Sequence, residues 1–202
     1  MTMRKLIHDR TAATAVEFAL LLPLLLILLF GIIDAGRWMW ALNQQEKAAQ
    51  MGARMAVVTN AIAPGIASSY LGVDGLTQGD LIPASSFGKV SCTNSGCSCA
   101  TSPCPALGTA DSTAFNNLVA HMRNFLPELT AANVAVEYSA SGLGFAGNPN
   151  GSDLVPLVTV KIGSPATPVQ FNPITSFLLV TMDMPTVTTT LTAEDLSGAQ
   201  SN

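Results

Sequence analysis

The chain has 202 residues, 49% of them hydrophobic and only 11% charged, with a formal net charge of −4. Soluble domains carry about 25% charged residues, so an ordinary cytosolic composition is excluded. The acidic balance also leaves no basic surface for nucleic acid, which removes that partner class.

The charge is unevenly placed. Arg4, Lys5 and Arg10 outweigh Asp9 in the first ten residues, whereas beyond residue 55 only Lys89, Arg123 and Lys161 oppose nine acids. Between these regions lies an apolar run from Thr11 to Ile33 that carries one carboxylate, Glu17. Its 23 residues reach roughly 34 Å as a helix, enough for a hydrocarbon layer of about 30 Å. The basic flank predicts a cytoplasmic N-terminus, with the acidic remainder exported. The run exceeds the 7–15 apolar residues usual in a secretory signal, and no small-x-small cleavage pattern follows it closely. A retained anchor is the expectation. An ionised side chain in hydrocarbon is costly unless paired or close to the interface, so Glu17 needs a physical reason.

Pro23 cannot donate to the carbonyl of Ala19, which predicts a kink or local unwinding. Gly31, Ala35 and Gly36 offer a small-residue surface for helix packing. Asp34 and Arg37, three apart, read as a surface pair, and Trp38 and Trp40 fall where an outer aromatic belt would lie. Residues 34 to 59 contain no proline and are rich in helix formers such as Gln44, Glu46, Lys47 and Ala48. Leu42, Ala49, Gly52, Ala53 and Ala56 line one face. One helix is expected from roughly 12 to 59, half in lipid and half projecting outward.

From Asn60 to Asp111 the pattern dissolves into Gly, Ser, Pro and Asn and reads as a long loop, unusual in a compact domain unless functional or stapled. Cys92, Cys97, Cys99 and Cys104 lie inside it. On the exported side such a close-set, even group reads as two disulfides; three pairings are possible. Four thiolates could also hold zinc, but the C-x4-C-x-C-x4-C spacing lacks the usual C-x2-C knuckles. No metal is expected there.

Asp111 or Ser112 can cap a helix carrying Phe115, Leu118, Val119, Met122 and Phe125 on one face, ended by Pro127. Alternation around Val134–Tyr138, Val158–Ile162 and Val187–Leu191 predicts three strands, and residues 174 to 182 are apolar but ambiguous between helix and strand. The expected fold class is α+β: a long N-terminal transmembrane helix continuing into a periplasmic helical stalk, packed on a small antiparallel-sheet domain. The expected divisions are a cytoplasmic leader (1–12), the transmembrane helix with its extension (13–59), and a periplasmic α+β domain with a disulfide-stapled loop (60–202).

Arg10-Thr-Ala-Ala-Thr-Ala-Val-Glu-Phe-Ala-Leu-Leu-Leu-Pro, followed by Gly31-Ile-Ile-Asp-Ala-Gly-Arg37, resembles the TadE-like family of the tight-adherence (Flp-type) pilus system. Ala48, Ala49, Gly52, Ala53 and Arg54 are similar to a segment that often follows. The resemblance covers about a quarter of the chain and implies a pseudopilin-like inner-membrane protein. Its implied partners are the membrane, other pilins or pseudopilins, pilus assembly proteins and a prepilin peptidase. Glu17 would be the fifth residue of a mature helix beginning at Ala13, with the cut between Ala12 and Ala13. Glycine is the family's usual residue before the cut and Ala12 stands there, so a cleaved subunit and a permanently anchored assembly factor both stay open. In a cleaved subunit, the Ala13 amine of one copy would pair with Glu17 of its neighbour.

Two other classes are weaker. An enzyme would need chemistry that His8 and His121 do not supply, since no His-based triad, phosphate-cradling glycine loop or HExxH pattern accompanies them. Glu194 and Asp195 read as a solvated tail. No catalytic residue, cofactor or small-molecule substrate is expected. A membrane-tethered periplasmic binding, adhesion or scaffold domain is the alternative, but a plain tether does not require Glu17.

Overall fold

The computed structural model describes residues 10–149, 151–175, 180–193 and 196, with side chains described from residue 14 onward. Residues 1–9 of the expected leader, and Glu194 and Asp195, lie outside the described residues. Two compact units divide the chain: Met1–Ala41 with Gln170–Met182, and Leu42–Val169 with Asp183–Asn202.

Helix α1 spans Arg10–Ala56, unbroken through Pro23. It stops three residues short of the expected end, where the Thr59 hydroxyl donates to the carbonyl of Met55 at 2.9 Å. The first unit holds the apolar part of this helix together with the strap Gln170–Met182. The strap enters through Gln170–Phe171 (β5), which pairs with Met182–Asp183 (β6) as a short ribbon.

The second unit is built on a five-stranded sheet. Its strands are Lys89–Thr93 (β1), Gly96–Thr101 (β2), Val134–Ser139 (β3), Leu157–Ile162 (β4) and Val187–Thr192 (β7), ordered β2-β1-β3-β4-β7 and antiparallel throughout. Alternation sends Val90, Cys92, Val134, Val136, Tyr138, Val158, Val160 and Ile162 to the buried face. Helix α2, Ser112–Arg123, starts where Asp111 accepts the amides of Thr113 and Ala114, both at 2.9 Å, as an N-cap should. It buries Phe115, Leu118, Val119 and Met122. With Tyr138 and the buried face of the last three turns of α1, these residues form the core.

That face of α1 is Gln45, Ala48, Ala49, Gly52, Ala53 and Ala56, all buried at the i, i+3, i+4, i+7 spacing of one helical side. Small side chains bring the helix axis close to its neighbours. A Cβ placed on Gly52 would lie 2.7 Å from the Met122 sulfur, so the two helices cross there at glycine. Gln45 is the exception among the small residues: its Nε2 donates to the carbonyls of Ile162 (3.1 Å) and Pro185 (3.0 Å). It thereby ties α1 to the end of β4.

The expectation of a structureless loop over 60–111 is corrected. Short 3-10 turns occupy Pro64–Ala67, Val73–Gly75 and Ala84–Ser86; Cys92, Cys97 and Cys99 sit on the β1–β2 hairpin rather than in a loop, and Cys104 follows it. The reason is local: Lys-Val-Ser-Cys-Thr alternates with Val90 and Cys92 buried, but five residues dominated by small side chains carry little hydrophobic signal.

Candidate functional site

The helix surface is the first functional feature. Val16, Phe18, Leu20 to Leu29, Ile32 and Ile33 are exposed around the helix circumference, so no protein core covers them. One helix is long and apolar enough to cross a membrane. Glu17 lies exposed on this rod, and no salt bridge engages it among the described residues. The peptide bond of Ala12 and Ala13 lies in the first turn of α1, while their side chains lie outside those described. A Cβ added to Gly31 or Gly36 would meet nothing within 4 Å, so both glycines present bare backbone to the surroundings. Gly31 and Ala35 also line an apolar groove of about 440 Å³ with Trp38, Met39, Phe171 and Met182.

At the end of the apolar run sits a polar clasp that the spacing alone did not disclose. Asp34 is only 4% exposed. Its carboxylate accepts the Ile174 amide (2.8 Å), the Thr175 amide (3.0 Å) and the Thr175 hydroxyl (2.8 Å). Arg37 donates to it at 3.0 Å, donates to the Asn172 carbonyl at 3.4 Å, and holds its guanidinium 5.4 Å from the centre of the Phe171 ring. The pair is thus an anchor for the strap rather than a surface ion pair. The i, i+3 spacing showed that the two charges meet but not the distant partner, 140 residues on in the case of Ile174.

The second unit carries the cysteines. Cys92 is bridged to Cys97 and Cys99 to Cys104, both over a separation of five. Cys92 and Cys97 are also direct cross-strand partners in the β1–β2 register, so the first bridge closes the hairpin it lies on. The second ties β2 to the chain that follows it. With all four thiols in bridges, none is available as a metal thiolate.

A second carboxylate cradle orders the loops of this unit. Asp153, buried, accepts the amides of Tyr70 (2.7 Å), Gly147 (2.8 Å) and Asn148 (2.8 Å) and the Ser69 hydroxyl (2.9 Å). Burial by itself pushes this carboxyl up, but the donors outweigh it and hold the group below its usual value. On the outer sheet face, Glu137 bridges Lys161 (2.6 Å) and Lys89 (3.4 Å). Burial raises the Glu137 carboxyl as well, and the two lysines more than reverse this. These groups are consumed by structure. Among the described residues no cluster of three or more His, Cys, Asp or Glu could hold a metal ion. His121 on α2 meets the Phe125 ring edge-on at 6.0 Å; Phe125, expected on the helix face, lies past the helix end at Arg123.

An exposed apolar rod joined to a disulfide-bridged α+β domain defines a class of protein whose helix could cross a membrane once. Within that class, residues 12–54 match the family described as TadE-like protein. The family is pilus-related and structural or assembly in kind rather than catalytic. No curated protein and no solved structure matches the chain. The match takes in Ala12, Ala13, Glu17, Pro23, Gly31, Ala35 and Gly36, together with the buried small face as far as Ala53. It ends before the hairpin, α2 and the sheet.

Proposed function

We propose that the chain is a non-enzymatic, pseudopilin-like subunit or assembly factor of a tight-adherence (Flp-type) pilus. Its helix sits in the inner membrane with the N-terminus in the cytoplasm and residues 60–202 in the periplasm. The observation that carries this reading is that the TadE-like match falls on the exposed apolar helix and includes its lone acid, Glu17. The basic residues before the span favour a cytoplasmic N-terminus. The bridged cysteines favour an oxidising compartment for the domain.

In this role the rod associates with other pilins through its apolar surface and the bare backbone at Gly31 and Gly36, while Glu17 supplies register. Cleavage by a prepilin peptidase between Ala12 and Ala13 frees an amine at the cytoplasmic edge. A neighbour's Glu17 then binds it and loses much of its burial penalty.

The mass of the membrane-extracted chain separates the two forms, because a start at Ala13 marks a cleaved subunit and an intact leader marks a permanent anchor. The assembly role is tested with Glu17→Ala. The expected outcome is normal insertion with reduced co-purification of pilus components; unchanged co-purification and piliation overturn the role.

A further inference from the structure

The strap at Asp34 carries exposed aliphatic side chains beside the apolar helix. Thr175 is buried with its hydroxyl on Asp34, and the exposed Thr181 hydroxyl donates to Asn172 at 3.0 Å. Phe171 and Pro173 are buried, whereas Ile174 is 50% and Val180 83% exposed. No Asp, Glu, Lys or Arg occurs from Ile162 to Met182. Exposed aliphatics in a stretch without charge gain nothing in water, whereas lipid accommodates them, and the Ile174 and Thr175 amides and the Thr175 hydroxyl already have partners inside the protein.

The level at which the strap is pinned identifies what it faces. Asp34 follows Ile33, the last residue of the apolar run, and receives both the Ile174 and Thr175 amides. On a helix rising about 1.5 Å per residue, Trp38 and Trp40 lie about 6 and 9 Å farther along the axis. If the tryptophans mark the headgroup layer, Ile174 is held on its hydrocarbon side. Arg37 pairs its charge with Asp34 while reaching the Asn172 carbonyl and the Phe171 ring, so it covers the strap's entry.

We infer that the Asp34 clasp seats Ile174 and Val180 of the strap in the outer interfacial layer of the lipid bilayer, giving the protein a second membrane contact beside its helix. The occupant is lipid because the strap continues, at the same level, the exposed apolar surface of residues 16–33. This inference rests on the membrane-spanning reading of α1.

The test uses the full chain with Trp38→Phe and Trp40→Phe as background, reconstituted in phosphatidylethanolamine–phosphatidylglycerol vesicles. The acyl chains are brominated near their headgroup end, and the same variants in unbrominated vesicles give the baseline. Single reporters are Ile174→Trp, Val180→Trp and, in the span, Leu25→Trp. The expected result is that all three lose most of their emission. Adding Asp34→Ala is expected to restore emission at Ile174→Trp and leave Leu25→Trp quenched. Quenching at Leu25→Trp alone overturns the strap contact and leaves the span standing; no quenching at any position overturns both. Strap reporters shielded from aqueous iodide yet untouched by brominated lipid overturn the inference in favour of a protein neighbour. Quenching at Ile174→Trp that survives Asp34→Ala overturns the clasp as its cause.

Discussion

The two halves of α1 treat hydrophobicity in opposite ways. Between Val16 and Ile33 the side chains are the largest aliphatics in the chain, and they are exposed; between Gln45 and Ala56 the buried ones are mostly alanine and glycine. Aqueous folding would reverse this, since burying a Leu stabilises by about 1.5–3 kcal/mol and burying an Ala by much less. On the membrane-spanning reading proposed above, the first half meets a solvent as apolar as itself, while the second half is built for close approach. Size, not apolarity, marks the packed half.

The largest expected effect breaks the first half. Leu25→Arg puts a charge at mid-span, at about 2.5–3.5 kcal/mol of insertion free energy, and should shift the chain from the membrane to the soluble or degraded fraction. Fractionation after alkaline extraction reads this directly. The matching change in the second half is Gly52→Leu, which drives a side chain into Met122. Overpacking of this kind costs about 1–3 kcal/mol, so the domain should unfold at lower temperature while membrane extraction is unchanged. A Gly52→Leu chain with wild-type melting would remove the close-approach reading.

Covalent bridging sharpens the comparison, because it acts on the sheet unit alone. Cys99→Ser with Cys104→Ser opens a loop of separation five, for which chain-entropy arithmetic gives about 2 kcal/mol. The expected outcome is a lower urea midpoint for the domain and no change in membrane partition.

The smallest effect is a pH dependence. The Asp153 carboxyl is held below its usual value of 3.8 in the folded chain. A depressed folded value means stability that is fully present above the unfolded value and lost as pH falls through the folded one. Unfolding free energy should therefore stay level through neutrality and decline below about pH 4. Asp153→Asn should flatten part of that acid limb in chemical denaturation read at several pH values.

The span was legible from the length of its apolar run, and α2 with its Asp111 cap and strands β3, β4 and β7 from periodicity over five residues or more. The β1–β2 hairpin was hidden, because Ser, Cys, Gly and Thr carry little alternation. Cysteine spacing located the staples without choosing their pairing; the register that sets Cys92 opposite Cys97 supplies it. Glu17 and the small residues of α1 were visible as residue types at a spacing. The Asp34 clasp was not, since its partners lie some 140 residues downstream, and only folding brings Ile174 and Thr175 to it. Gln45 has the same side chain as its neighbour Gln44 and nothing local distinguishes it, so its contacts with the Ile162 and Pro185 carbonyls show only in the fold.

The two bridges close over five residues each and involve nothing beyond Cys104. Oxidation of this border of the sheet therefore needs only a short emerging stretch of polypeptide. In the periplasmic placement proposed above, both links can be complete while β3, β4 and β7 are still on the far side of the membrane. The sheet would then grow onto a finished edge, each later strand arriving at a template that is already covalently set.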